Sequence, residues 1–464
     1  MKSLWSQEVE LPRKESLNQD LRVANVVIGA GMAGILTAYM LQESGQEVII
    51  LEESEIASGQ TKNTTAKITS QHGLIYHEMI KNCGLERARG YAKANEEAIR
   101  EYKEIITKEG IACHFEELPS FLYSKREEGI ETLKKEAQAA KELGIEAEYV
   151  RGDLVKELPF GVVGAVRFEN QAQFHPLEFL NHLAKKLTIY EHTKVLEVDD
   201  YMVITDKGVV VANNIVFTTH YPIVNIPGWY FLRQHQSRSY VIAIKGEGVP
   251  KVLEGMYYSI DKDGFSFRCA QEMLLFGGSS HRTGKRLKLE RSTNANKYPG
   301  AFCHLREKAK QYYISFDEIA CWSAQDCMPH DRIPFLGRYS KKNEHWYIAT
   351  GFQKWGMTTA MVGAKIICDM IMERENPYEA VFTPQRLLIK AGFKNLLVDI
   401  GESVLGLGKG LFVKKGKRCS HLGCALEWDD DEKMWNCPCH GSRYTKEGKR
   451  LDNPAQQDLD NKIS

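Results

Sequence analysis

The chain has 464 residues, 43% of them hydrophobic and 26% charged, which is ordinary for a globular protein and long enough for two or three domains. Lys+Arg and Asp+Glu are each 61, so the formal net charge is zero and there is no basic footprint for nucleic acid. The first 18 residues carry scattered charges instead of an apolar core, and no later run is apolar over the ~18 residues a membrane span needs, so the expectation is a cytoplasmic protein with neither signal peptide nor span.

Asn25 to Gly34, NVVIGAGMAG, reads as a short apolar strand, a turn carrying Gly29, Gly31 and Gly34, and the start of a helix through Met32 and Ala33 that stops near Gly45. A second strand, Val48 to Leu51, ends at Glu52 and Glu53. Glycines at this spacing let the backbone turn tightly and approach a pyrophosphate, the helix N-terminus offers free N–H groups, and an acid about 20 residues on holds a ribose hydroxyl. A bare GxGxxG is also a common tight turn; here strand, helix, spacing and acid agree on a dinucleotide.

The polar stretch Ile56 to Thr69 suits either a surface loop or a cofactor-lining loop. Residues 77–109 and about 127–143 have helical periodicity and end at Gly110 and Gly144. Strand patterns follow between 164 and 219, interrupted by a helix near 177–187, and a strand ending at Thr219 is placed to return to the nucleotide-binding sheet. Alternation from Ser237 to Gly278 predicts an antiparallel sheet with one covered face, hence a second, substrate-binding domain. A strand, a glycine turn at Gly351 to Gly356 and a helix to about Met372 close this part, and Gly406-Leu-Gly-Lys-Gly410 reads as linker.

Of the eleven cysteines, Cys83, Cys113, Cys269, Cys303, Cys321, Cys327 and Cys368 are scattered and read as small buried apolar residues. Cys419-x-His421 and Cys437-x-x-His440 lie fifteen residues apart, with Cys424 between them and Cys439 inside the second. Two thiolates and two imidazoles suit the two irons of a [2Fe–2S] cluster. A Cys2His2 zinc site is the competing reading, and it leaves Cys424, Cys439, Ser442 and Tyr444 without a role.

The fingerprint, the polar loop, the interleaved sheet, Phe276-Gly-Gly278, Arg332-Ile-Pro and Gly351-Phe-x-x-x-Gly356 together resemble the D-amino-acid oxidase-like flavoproteins, which include glycine and sarcosine oxidases. The resemblance spans about residues 20–380 and implies FAD, bound through Gly29, Gly31, Met32, Ala33, Gly34, Glu52, Glu53 and Thr219. It further implies Thr64, Thr65, Ala66 and Lys67 along the ribityl chain and ring, Val195 by the adenine, and Gly351, Trp355, Gly356, Met357 and Thr358 near the pyrimidine end. Substrate-orienting candidates are Arg268, His281, Gln325 and Asp326, with Lys67 beside the ring; each also suits a structural hydrogen-bonding role.

The C-terminal motif resembles the Rieske domain, which implies cluster ligands Cys419, His421, Cys437 and His440, a Cys424–Cys439 disulfide, hydrogen bonds from Ser442 and Tyr444 to the cluster, and a covering loop at Pro454. Rieske domains have more strands before the first ligand loop than residues 410–418 allow, so the base is abbreviated. The combination resembles bacterial fused FAD-dependent oxidoreductase/Rieske proteins. The implied fold class is an α/β Rossmann-like FAD-binding domain with an interleaved α+β substrate domain and a small all-β Rieske domain. The expected boundaries are 1–390 (FAD-binding segments about 20–76, 160–225 and 325–378; substrate segments about 77–159 and 226–324), a linker at 391–411, and 412–464.

The function so implied is oxidation of a small amine or amino acid by hydride transfer to flavin, with single electrons passing to an external acceptor protein. Two other readings stay open: electrons entering from a donor protein to reduce a substrate, and a non-catalytic redox sensor.

Overall fold

The computed structural model describes residues 2–285, 287, 300–386, 389–413 and 417–459. Residues 387–388 and 460–464, included in the expected domains, lie outside the described residues.

The first eight-stranded sheet is built on Leu21–Ile28, which pairs in parallel with Val48–Leu51 on one side and Val209–Phe217 on the other. Its fully apolar centre, Val26 to Ile28, is buried on both faces, as a parallel strand between helices must be. The helix Met32–Glu43 is buried along most of its length because it lies between this sheet and the helix Gly356–Ile371. Val209–Phe217, the strand that runs up to Thr219, thus returns to the nucleotide-binding layer as expected, and Trp346–Thr350 joins the same sheet beside it. The last of the strand patterns before Thr219 is one continuous strand, Val209–Phe217.

The second eight-stranded sheet centres on the long pair Gln234–Lys245 and Asp317–Pro329. It is antiparallel apart from Ser120–Ser124, which runs parallel to Met256–Ser259. Gly164–Phe168, assigned from sequence to the cofactor segments, belongs to this sheet. The long helix expected at 77–109 is two helices broken at Gly84, where φ is +87°.

Four short antiparallel strands between Glu427 and Asp452 form the small C-terminal sheet. The stretch 391–411, expected as a linker, is helical throughout, within Ile389–Phe412. Its glycines are packing positions: a Cβ at Gly406 would collide with Cys439 Sγ, and one at Gly410 with the Gly423 carbonyl. Close approach to the cluster loops compensates for the poor helix propensity of glycine.

Candidate cofactor cavity and iron–sulfur centre

The fingerprint turn is shaped by close backbone contacts. Gly29 has φ +106°, and a Cβ there would stand 2.8 Å from the Thr218 carbonyl; a Cβ at Gly34 would collide with the Gly29 carbonyl. Gly31 caps the helix Met32–Glu43, whose first N–H, from Met32, donates to Thr61 Oγ1 at 3.0 Å. Glu52 accepts hydrogen bonds from the N–H groups of Ala30 (2.8 Å) and Ser54 (2.9 Å), which fixes its carboxylate at the end of the second strand. Burial raises the Glu52 pKa, and these two donors oppose the rise.

A cavity of about 770 Å³ opens from this turn. Gly29, Gly31, Met32, Ala33, Glu52, Glu53, Thr64, Thr65, Lys67, Val195, Thr219, Trp355, Gly356 and Met357 line it, together with Asp326. Gly34, Ala66, Gly351 and Thr358 stand behind this wall: Thr358 donates to Thr69 O at 3.1 Å, and Gly351, at φ +74°, turns the chain against Pro329. A pocket of this volume, with a glycine cradle and a helix N-terminus in its wall, fits a dinucleotide.

Two ionisable side chains on the wall depart from their ordinary state. Lys67 Nζ donates to Ser266 Oγ (2.6 Å) and the Tyr257 carbonyl (3.1 Å); burial, and then the Arg268 guanidinium, lower its pKa to about 7. Burial raises the Asp326 carboxyl to about 7 against the opposing pull of Lys354 and Arg238.

The other orienting candidates are engaged elsewhere. Arg268 donates to the carbonyls of Thr65 and Ala66 (2.8 Å to the latter), bracing the loop that carries Lys67. His281 stacks on Tyr240 and bonds through Nδ1 to Ser279 O at 2.9 Å. Gln325 is fully buried, with its amide shared between Gln236 Oε1 (2.7 Å) and Gly441 O (2.9 Å). Each makes contacts inside the protein that a sequence pattern does not display.

In the C-terminal domain Cys419, Cys437 and His440 are buried and His421 is partly so. The rings of His421 and His440 are 5.1 Å apart and nearly perpendicular. Their Nδ1 atoms are buried without a hydrogen-bond partner among the described residues, a costly arrangement for two imidazoles unless a metal takes the lone pairs. Burial lowers the His421 pKa to about 4; burial, His421 and Arg282 lower that of His440 to about 3, so both rings are neutral, as ligation requires. A hydrogen bond from Cys437 and, after the opposing effect of burial, one from Tyr444 lower the Cys419 thiol to about 6. Tyr444 Oη lies 3.4 Å from Cys419 Sγ, Ser442 Oγ accepts from Ala455 N at 3.0 Å, and Cys424 is bonded to Cys439. The donor set fits a Rieske cluster.

The small domain forms part of the cavity wall, which no local sequence signal indicates. Glu432, Met434, Arg443, Arg450, Asn453 and Gln456 all face the cavity. Glu432 is buried between Arg238 of the long sheet strand and Arg443 of its own domain. Gln236 Nε2 donates to His440 O and to Asn453 O, both at 2.8 Å. Arg282 donates to Pro438 O (3.1 Å) and Cys439 O (2.8 Å).

The family described as DAO, FAD dependent oxidoreductase, matches residues 25–370, and the Rieske [2Fe-2S] domain family matches residues 398–462. A Bacillus subtilis (strain 168) relative, YhfW, whose name describes a Rieske 2Fe-2S iron-sulfur protein, is 34% identical over 509 aligned residues, covering 98% of this chain and 96% of its own length. L-proline dehydrogenase from P. horikoshii shares the fold with a TM-score of 0.64 at 18% identity, over 79% of this chain and 98% of that one. Glycine oxidase from Bacillus cereus does so with a TM-score of 0.61 at 17% identity, over 79% and 99%. The chain therefore belongs to the DAO family of FAD-dependent oxidoreductases, with FAD as its flavin cofactor and a C-terminal Rieske domain for a [2Fe-2S] cluster.

Proposed function

We propose that this oxidoreductase removes a hydride from the carbon next to nitrogen in a small amine or amino acid, and that the electrons leave one at a time through the Rieske domain to an external acceptor protein. When bound, FAD supplies a two-electron hydride acceptor and the [2Fe–2S] cluster a one-electron carrier. The carrying observation is that Gln236 and Gln325, on the two long strands of the cavity sheet, hold the carbonyls of His440 and Gly441 directly.

The roles of the wall residues follow from their chemistry. We assign Glu52 to a ribose hydroxyl and the glycine turn to the pyrophosphate. Asp326, half-ionised near pH 7, accepts a proton from an incoming ammonium group, so that the amine is neutral when its C–H bond breaks. Lys67 directs its remaining donor capacity into the cavity from a position fixed by Ser266 and Tyr257. Trp355 packs edge-on to Tyr258 and stacks on His72, giving an aromatic corner that keeps water from the reacting atoms. Arg268 and Gln325 are positioning residues. A cytoplasmic site of action is supported by the unbridged Cys83, Cys113, Cys269 and Cys368.

The test is the Cys437→Ser variant, which removes one cluster ligand. Amine-dependent reduction of an artificial two-electron dye should persist while reduction of a one-electron protein acceptor is lost. Equal loss or equal retention of the two activities contradicts the electron-exit role.

A further inference from the structure

The helix Ile389–Phe412 is amphipathic in the inverted sense. Its polar side faces the protein: Asn395 donates to His330 O at 2.7 Å, Asp399 takes His235, His330 and Arg282, and Glu402 pairs with Lys285. Its apolar side faces out. Phe393, Leu397, Ile400, Val404, Leu407 and Leu411 form a row along the helix, with Val404 63% and Leu411 74% exposed. Val398, Leu405 and the 90% exposed Phe412 widen the row to roughly half the circumference at 3.6 residues per turn.

We propose that this face seats the protein on an anionic lipid surface. The apolar sector runs the length of a helix about 36 Å long, with no acid in it, because both acids of the helix point inward. The sequence from 389 to 418 adds Lys390, Lys394, Lys409, Lys414, Lys415, Lys417 and Arg418 against those two acids, in a chain whose net charge is zero; of these, Lys409 has Glu427 at 3.9 Å. An apolar half-cylinder with basic residues near both ends of its helix is the composition of a helix lying in the plane of a bilayer interface. A partner helix would need a narrower seam with selecting charges beside it, and the positions beside the row are Gly401, Ser403, Gly408 and Gly410. The helix touches the segment Tyr230–Leu232, and Gly410 packs on Gly423, so the exposed Trp229, Leu232 and Leu422 extend the surface toward His421. No helix among the described residues is long and apolar enough to cross a membrane, so the contact is peripheral.

The experiment is co-sedimentation of the full-length, cluster-loaded protein with vesicles of phosphatidylcholine alone or mixed with phosphatidylglycerol, beside sedimentation-velocity runs without lipid. The expected result is binding at least about tenfold stronger to the anionic vesicles, weakened by salt, and reduced at least about tenfold by Val404→Glu with Leu411→Glu. Lys409→Glu serves as a second variant that leaves the apolar row intact and should weaken binding to anionic vesicles alone. Retained cluster absorption shows that the variants fold. Absence of binding to either vesicle, or binding that all variants retain, overturns the proposal. A dimer that the glutamate variants dissociate, without vesicle binding, also overturns it and gives the face to a second copy of the chain.

Discussion

The side-chain amide of Gln325 donates to the Gly441 carbonyl at 2.9 Å, joining a strand of the cavity sheet to the loop that carries Cys437 and His440. The same amide reaches Gln236, which holds the His440 carbonyl, while the Gln325 backbone N–H donates to Gln60 Oε1 on the cavity wall at 2.8 Å. The two cofactor sites thus share one chain of hydrogen bonds.

Gln325→Ala leaves this chain open. We predict that stopped-flow reduction of the flavin by substrate changes less than about twofold, whereas reduction of the cluster slows by about tenfold or more. If both phases keep their wild-type rates, the glutamine pair has only a packing role.

The ionisation of Asp326 predicts a pH dependence. Its carboxyl becomes an acceptor only above about 7, so kcat/KM for an amine should rise about tenfold per unit below that value and level off above it. Asp326→Asn should remove the rising limb. Linkage gives a second readout: a carboxyl whose folded pKa is raised destabilises the fold as pH climbs from its unfolded to its folded value. Asp326→Asn is therefore expected to stabilise the protein at pH 8 by about 4 kcal/mol relative to its effect at pH 4, measured by denaturant unfolding. A flat difference between the two pH values contradicts the assignment.

Glu432 connects the domains through charge. Although burial opposes its ionisation, Arg238 and Arg443 hold its pKa below the usual carboxylate range. Glu432→Gln leaves the buried Arg238 guanidinium without its carboxylate, while Arg443 keeps Asp452 at 2.9 Å, at a cost of about 3–5 kcal/mol, and should appear as early melting followed by cluster absorption. The wild-type contribution is present above the unfolded carboxyl value and is lost as pH falls through the lower folded one, so the variant's deficit should shrink in acid.

Gly406 is the tightest point between the long helix and the disulfide. Gly406→Val is expected to cost about 1–3 kcal/mol and to lower the iron content of purified protein, because the helix must move away from Cys439. Gly408→Ala, where a Cβ meets nothing within 4 Å, should leave iron content unchanged and provides the control.

The legible features were those written in consecutive residues. The turn at Gly29 to Gly34 and the acid at Glu52 are set by local backbone geometry, and the two ligand loops carry their cysteines and histidines within a few positions. Gln325 and Arg268 were legible as polar residues near the cavity but not in what they hold, because Gly441 and the Thr65 carbonyl are far away in sequence. The helix Ile389–Phe412 is not legible in the sequence because Gly406, Gly408 and Gly410 imitate a linker, and its apolar row resembles a buried face although it points outward. The contribution of Glu432, Arg443 and Gln456 to the cavity wall depends on how the domains dock, which no pattern within either domain encodes.

Anaerobic titration with candidate amines, followed by visible absorption and electron paramagnetic resonance, tests the central claim most directly. The account predicts that one amine or amino acid bleaches the flavin band while the signal of a reduced Rieske cluster grows in the same samples, and that Cys437→Ser retains the bleaching alone. Bleaching with the cluster left oxidised in the wild-type protein would contradict it.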